Sequence, residues 1–171
     1  MKKKILGEKT REFTFAEVCS GAGGLSKGFI DIGFQSILLN DTERYCVETL
    51  KLNHGSQNIF HGSMLDIPLD DLKVDVLMGG VPCQSFSQAG KREGVKDDRG
   101  QLLLYFIDMI KYINPSVFVI ENVPGLVTHN NGKTLKSVID TINALGTHNT
   151  TFKVLNANDY GVPQNRKRLF I

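Results

Sequence analysis

The sequence has few of the residues that build disulfide or metal scaffolds. There are three cysteines, Cys19, Cys46 and Cys83, an odd number with no CxxC spacing, which argues against a disulfide framework. The four histidines, at positions 54, 61, 129 and 148, are scattered without HxxxH or Cys/His pairing, so the pattern of a structural zinc site is missing and no metal is expected. No apolar run approaches the length needed to cross a bilayer, and no membrane association is expected. The start, MKKKILGEKTREF, is basic but lacks an apolar signal core. No secretion signal is read from it, and the default setting is cytoplasmic (bacterial or phage), or nuclear in a eukaryote. The formal net charge is only +2, which accommodates a nucleic-acid partner only where basic residues cluster.

What is present is enough for one domain with a sizeable core: 171 residues, 41% of them apolar. Short apolar runs read as strands: FTFAEV (13–18), QSILLN (35–40), QNIFHG (57–62), VDVLMGG (74–80), SVFVIEN (116–122), TTFKVLNA (150–157) and the beginning of another at RKRLFI (166–171). Between them lie segments with helical spacing at 25–33, 42–54, 100–115 and 132–146, the second with Thr42 available as its N-cap. Strands alternate with helices and several strands are apolar throughout. This is the pattern of an α/β fold, a mostly parallel sheet with helices on both faces. In such folds ligands sit beyond the carboxyl ends of the strands, so the residues after each strand carry the functional information.

After the first strand comes CSGAGGLSKG. Gly21, Gly23 and Gly24 allow a tight turn and a close approach of backbone to ligand, although Ser26 stands where a GxGxxG fingerprint needs glycine. Asp41 follows the second strand, near the spacing at which an acidic side chain accepts from ribose hydroxyls. Together they point to a nucleoside-containing cofactor. After the fourth strand Pro82 introduces Cys83 in a polar segment, where a cleft mouth rather than a core is expected. After the fifth come Glu121 and Asn122, and after the sixth a basic stretch with Arg166, Lys167 and Arg168. A cysteine and a carboxylic acid beside a nucleoside cofactor form a reactive set.

These segments, in this order, resemble the catalytic region of the cytosine-C5 DNA methyltransferases. SGAGG matches the cofactor loop, GGVPCQSFSQAG the nucleophile loop and DDRGQLLLYF the helix behind it. IENVPGL carries the Glu-Asn-Val motif and NANDYGVPQNRKR the Gln-x-Arg-x-Arg motif. The resemblance implies a Rossmann-like, S-adenosylmethionine-dependent methyltransferase sheet and methylation of cytosine in DNA. Cys83 would be the thiolate that adds to C6 of the flipped base, Glu121 would protonate or hydrogen-bond N3, and Arg168 would contact O2. Arg166 would support the site and Asn122 would organise the Cys83 loop. The cofactor would lie against Cys19, Ser20, Gly21, Gly23, Gly24, Asp41, Thr42, Ser63, Met64 and Pro82. Gln84, Ser85, Ser87, Lys91, Arg92 and Arg99 would face DNA, on a segment that reads as a mobile lid.

The chain departs from the family pattern at Glu17-Val18-Cys19, where Asp-Leu-Phe is usual, at Thr42, and at Gly62-Ser63-Met64 in place of Gly-Asp-Ile. The family also continues beyond the Gln-x-Arg-x-Arg motif into a target-recognition domain. The expected organisation is therefore an N-terminal extension over 1–12 and a partial catalytic domain over 13–171. The last strand is expected to be incomplete, and a C-terminal half or partner chain to be needed. Other readings are an inactive remnant or non-catalytic partner subunit, a tRNA cytosine-C5 methyltransferase, and a nicotinamide-dependent Rossmann enzyme, which leaves Cys83 with Glu121 unexplained.

Overall fold

The computed structural model describes residues 11–56, 58–82 and 98–171, with the backbone alone at 98–100. Cys83, Gln84, Ser85, Ser87, Lys91 and Arg92 lie outside the described residues, as does the side chain of Arg99. The apolar runs form strands β1 (Thr14–Val18), β2 (Gln35–Asp41), β3 (Ile59–His61), β4 (Val76–Gly79), β5 (Val117–Asn122), β6 (Lys153–Asn156) and β7 (Lys167–Phe170). They make one sheet in the order β3-β2-β1-β4-β5-β7-β6. The first five are parallel to one another, and β7 runs antiparallel to both β5 and β6.

Among the described residues four α-helices pack on the sheet: α1 (Gly24–Asp31), α2 (Arg44–His54), α3 (Asp98–Ile113) and α4 (Lys133–Asn143). Strand residues alternate between two cores, as the two-residue repeat of a strand requires. Phe15, Val76 and Met78 pack with Leu39, Leu50 and the α1 residues Leu25 and Phe29 on one face. Ala16, Val18, Leu77, Phe118 and Ile120 pack with Leu103, Phe106, Leu135 and Val138 from α3 and α4 on the other. Gly79 has no room for a side chain on the second face: a Cβ there would sit 2.9 Å from Phe106 and 3.0 Å from Val18.

One expectation needs correction. Thr42 does not cap α2. The helix starts at Arg44 with Glu43 as N-cap residue, because the Asp41 carboxylate accepts the Glu43 N–H at 2.9 Å and holds the chain in a turn for one residue longer. The last strand is seated between its two neighbours. Leu169 and Phe170 pair with β5, all four residues of β7 pair with β6, and Ile171 exchanges backbone hydrogen bonds of 2.9 and 3.0 Å with Ile120.

Leu169 is fully buried in the core shared with α3 and α4. Leu169→Ala is expected to cost about 2–5 kcal/mol, seen in urea unfolding as a lower midpoint with unchanged slope. An unshifted midpoint would contradict the seating of β7.

Candidate active site

The alternation that builds the two cores also sorts the residues at the carboxyl edge of the sheet. Counting by twos from Phe15, Met78 and Val119, the next residues on the same face are Glu17, Gly80 and Glu121. On β7, Phe170 lies opposite Glu121 and therefore shares its face, as does Arg168 two residues before it. These residues surround a cleft of about 750 Å³, whose opposite wall is the turn between β1 and α1.

That turn is fixed by backbone conformation and by side chains of β2. The chain leaves β1 with Cys19 at φ +52° and Gly21 at φ +56°. Gly23 has φ +85° and is pressed against α2; a Cβ on it would lie 2.7 Å from His54 Nε2 and 2.9 Å from Leu50, so only glycine fits. Ser20 N–H donates to the Asn40 carbonyl at 2.8 Å, and Asn40 N–H donates to Ser20 Oγ at 3.2 Å. Asp41 is buried, and one carboxylate oxygen accepts from Gly21 N–H at 2.7 Å while the other accepts from Glu43 N–H. The residue read as a ribose contact is thus also the clamp of the glycine turn.

Glu17, noted in the sequence only as a departure from the family's Asp, was given no role there. It is 2% exposed and lines the cleft, yet Oε2 has no hydrogen-bond partner among the described residues. Burial pushes its carboxyl up to about 7. Hydrogen bonding by the Ser26 side chain and backbone opposes that rise, while the Asp41 and Glu121 charges add to it. The signal in the sequence was a glutamate inside an otherwise apolar strand, two residues before the turn. Cys19, next to it, is pushed up to about 11 by burial first and then by Asp41 and Glu17. Its thiol is neutral at physiological pH, with Sγ 3.9 Å from Met64 Sδ, and it is not an activated nucleophile.

At the other end of the cleft Glu121 Oε1 and Arg168 Nε form an ion pair at 2.9 Å, each side chain 26% exposed. Asn122, on the opposite face of β5, donates through Nδ2 to the Val81 carbonyl at 2.8 Å and so holds the backbone two residues before Cys83. Arg166 lines the cleft from a loop closed at its neck by Ala157 N–H to the Arg166 carbonyl, 3.0 Å. The same loop brings Tyr160 and Gln164 to the cleft, neither expected from sequence.

The structure therefore gathers Cys19, Ser20, Gly21, Gly24, Glu121, Arg166 and Arg168 around one cleft. The remaining positions described lie elsewhere. Thr42 is exposed, with its carbonyl 3.2 Å from His61 Nε2. Ser63 accepts from Leu65 N–H and caps the 3₁₀ turn Met64–Asp66, and Met64 is buried in the core. Pro82 is half-buried at the end of the segment leading from β4. Among the described residues no group of three or more His, Cys, Asp or Glu could hold a metal ion, and no helix is long and apolar enough to cross a membrane.

Residues 13–171 match the model of the C-5 cytosine-specific DNA methylases. The chain belongs to that family. It is 40% identical over 166 residues to the type II methyltransferase M.PspPI of Psychrobacter, covering 96% of this chain and 40% of M.PspPI. It is 37% identical to the type II methyltransferase M.AquIA of Picosynechococcus, covering 89% of this chain and 68% of M.AquIA. The chain thus spans about two fifths of the length of M.PspPI. The fold resembles the crystal structure of a prophage-encoded Escherichia coli protein described as a DNA modification methyltransferase. The TM-score is 0.76 at 24% identity, over 93% of this chain and 45% of the other. The seven-stranded α/β architecture is thus that of a methyltransferase fold.

In this methylase chain Glu17 makes a stability prediction with a definite sign. Its carboxyl ionises near 4.5 when unfolded and near about 7 when folded. The folded state therefore binds the extra proton between those values, and stability falls as pH rises through that window. Glu17→Gln removes the buried charge. The variant should be more stable than the parent at pH 8 by on the order of 1–3 kcal/mol, with the gap closing at pH 5, by urea unfolding at both pH values. Equal stability at pH 8 would mean that the carboxylate is not buried as described.

Proposed function

We propose that this chain is the cofactor-binding and catalytic part of a DNA cytosine-C5 methyltransferase that uses S-adenosylmethionine. The observation that carries the reading is the Glu121–Arg168 ion pair in the same cleft as the β1 glycine turn. A carboxyl and a guanidinium side by side offer both an acceptor or acid and a donor. Cytosine needs that pairing along its N4, N3 and O2 edge.

The residues present suit the cofactor. Its reactive end is cationic, and the orphaned Glu17 Oε2 supplies negative charge where no side-chain cation among the described residues pairs with it. A pyrophosphate would be repelled there, which weighs against a nicotinamide cofactor. Ser20, Gly21, Gly23 and Gly24 would hold the amino-acid end and Asp41 the ribose. Cys19, Thr42, Ser63, Met64 and Pro82 would lie toward the rest of the nucleoside. When bound, S-adenosylmethionine supplies an electrophilic methyl group.

The chain's own residues do the remainder. Cytosine C5 is a weak nucleophile until a thiolate adds at C6, and Cys83 is assigned that addition. The new S–C6 bond raises electron density at C5. Glu121 would stabilise it through a proton or hydrogen bond at N3, with Arg168 at O2 and Arg166 beside it. Loss of the C5 proton to a base then returns the electron pair, the S–C6 bond breaks and Cys83 is freed. Asn122 acts by fixing the Val81 carbonyl and hence the approach to Cys83. Gln84, Ser85, Ser87, Lys91, Arg92 and Arg99 are assigned to DNA contact. Target recognition would come from a C-terminal half or partner chain, in keeping with the greater length of M.PspPI.

The test uses DNA carrying 5-fluorocytosine and labelled S-adenosylmethionine, with and without a supplied C-terminal half. Fluorine at C5 blocks the elimination, so the chain should be trapped as a covalent adduct that disappears in Cys83→Ala. Glu121→Gln should slow adduct formation by about 10²–10⁴-fold. An adduct that survives Cys83→Ala, or none under either condition, would sink the mechanism.

A further inference from the structure

The loop from β6 to β7 presents more to the cleft than the reaction above uses. It opens with a 3₁₀ turn, Ala157–Tyr160, stopped by Gly161 in the left-handed region at φ +85°. Its backbone is tied to itself along its length. Val162 N–H donates to the Ala157 carbonyl at 3.3 Å, Gln164 N–H to the Val162 carbonyl at 2.7 Å and Arg166 N–H to the Gln164 carbonyl at 3.0 Å. On this frame Tyr160 is 66% exposed and Val162 47% exposed, and both line the cleft. The Tyr160 side chain has no hydrogen bond or ring contact among the described residues. Single exposed apolar side chains are ordinary. A ring and a valine on one tied loop, both facing one cleft, are the lining of a binding site.

We propose that this loop is the sugar side of the target-nucleotide site: Tyr160 and Val162 pack against the deoxyribose of the extruded cytidine. The proposal rests on the cytosine reading above and adds which part of the nucleotide the loop holds. The order of atoms around the base gives the direction. Glu121 is assigned N3 and Arg168 is assigned O2. The next ring atom past the C2–O2 carbonyl is N1, which carries the sugar. The sugar therefore leaves the base on the Arg168 side of the Glu121–Arg168 pair. Arg168 lies at the β7 end of the β6–β7 loop and pairs across to Leu155 of β6, so the wall beside it is built by β6 and that loop. A deoxyribose offers mainly C–H surface, and a tyrosine ring with a neighbouring valine suits it.

Such a contact has a use in the reaction. Cytosine turns about the bond from N1 to its sugar, and Glu121 with Arg168 grips only one edge of the base. Holding the sugar as well removes that rotation and keeps C6 turned toward its nucleophile. The other nucleoside in the cleft, that of the cofactor, is assigned to the opposite wall, where Asp41 clamps Gly21. Truncating Tyr160 should therefore leave the Kd for S-adenosylmethionine unchanged.

The test takes a duplex whose cytosine is trapped in the 5-fluorocytosine experiment, and a second duplex with an abasic deoxyribose at that position. The abasic site keeps the sugar and its phosphates and removes the base. Fluorescence anisotropy gives the Kd for each, with the C-terminal half supplied wherever trapping needs it. Tyr160→Ala should weaken binding about tenfold on both duplexes, and Val162→Ala should weaken both by less. Tyr160→Phe should bind like the parent, because packing and not the hydroxyl makes the contact. Glu121→Gln should weaken the cytosine duplex alone. If Tyr160→Ala does not fold, Val162→Ala makes the same comparison. A Tyr160→Ala loss that vanishes on the abasic duplex puts the ring on the base and overturns the proposal. So do an unchanged Kd on both duplexes, a Tyr160→Phe variant as weak as Tyr160→Ala, and a weaker Kd for S-adenosylmethionine in Tyr160→Ala. Each of these leaves the cytosine reading standing. A parent chain that traps no duplex overturns both.

Discussion

The cleft depends on one constraint: parallel strands β1, β4 and β5 end at a common edge in fixed register, and a strand turns every second residue to the same face. Ala16–Val18 align with Leu77–Gly79, and Leu77–Gly79 with Phe118–Ile120. One row further on, Cys19, Gly80 and Glu121 stand abreast. Gly80 sits between them with its Cβ position only 3.4 Å from the Cys19 carbonyl and 3.6 Å from Glu121 Oε2. A one-residue slip of β5 would drive Glu121 toward the core of α3 and α4 and present Asn122 to the cleft instead. The apolar alternation that buries Phe118 and Ile120 therefore also aims the carboxylate. Antiparallel β7 completes the set, because the register that places Phe170 against Glu121 puts Arg168 on the same face and within ion-pair reach.

Within that frame the charges are arranged at the expense of stability. Asp41 and Glu121 gain partners that offset their desolvation, one from backbone N–H groups and one from a guanidinium. Glu17 gains less and its carboxyl is pushed up accordingly. Cores do not retain such a group for packing, since an apolar residue of similar volume would fill the same space without the penalty. A buried, shifted carboxyl in a cleft marks a candidate functional group.

Much of this was legible in the residues. The strands were visible as apolar runs bounded by glycine, proline and asparagine, and the reactive positions as polar residues placed directly after them. The neighbourhood of Glu121 with the arginine stretch followed from strand ends meeting at one edge. What could not be read was burial. Nothing in the string AEVCSG distinguishes a glutamate at 2% exposure from one at the surface, because the difference comes from α1 packing over it. Thr42 failed as a cap for a similar reason: Asp41 competes for the nearby N–H, and a side chain clamping both Gly21 and Glu43 delays the helix by one residue. Tyr160 and Gln164 were missed because their loop turns back on itself through the Ala157–Arg166 bond, a tertiary feature with no periodic signal.

The glycine turn itself is a case in which geometry and charge point to different ligands. A turn that feeds a helix presents free N–H groups and the positive end of a dipole, together worth about half an elementary charge, and on that ground it attracts phosphate. The turn after β1 has that geometry. Beneath it, however, lies a full negative charge whenever Glu17 is ionised, in a site too buried for water to screen it. One whole charge outweighs a partial one at comparable distance, so the sign of the site is reversed. Asp41 and Glu121, being carboxylates, add no positive charge to it. A turn shaped like a dinucleotide site but carrying that carboxylate is therefore suited to a nucleoside with a cationic tail, and poorly suited to one with a pyrophosphate.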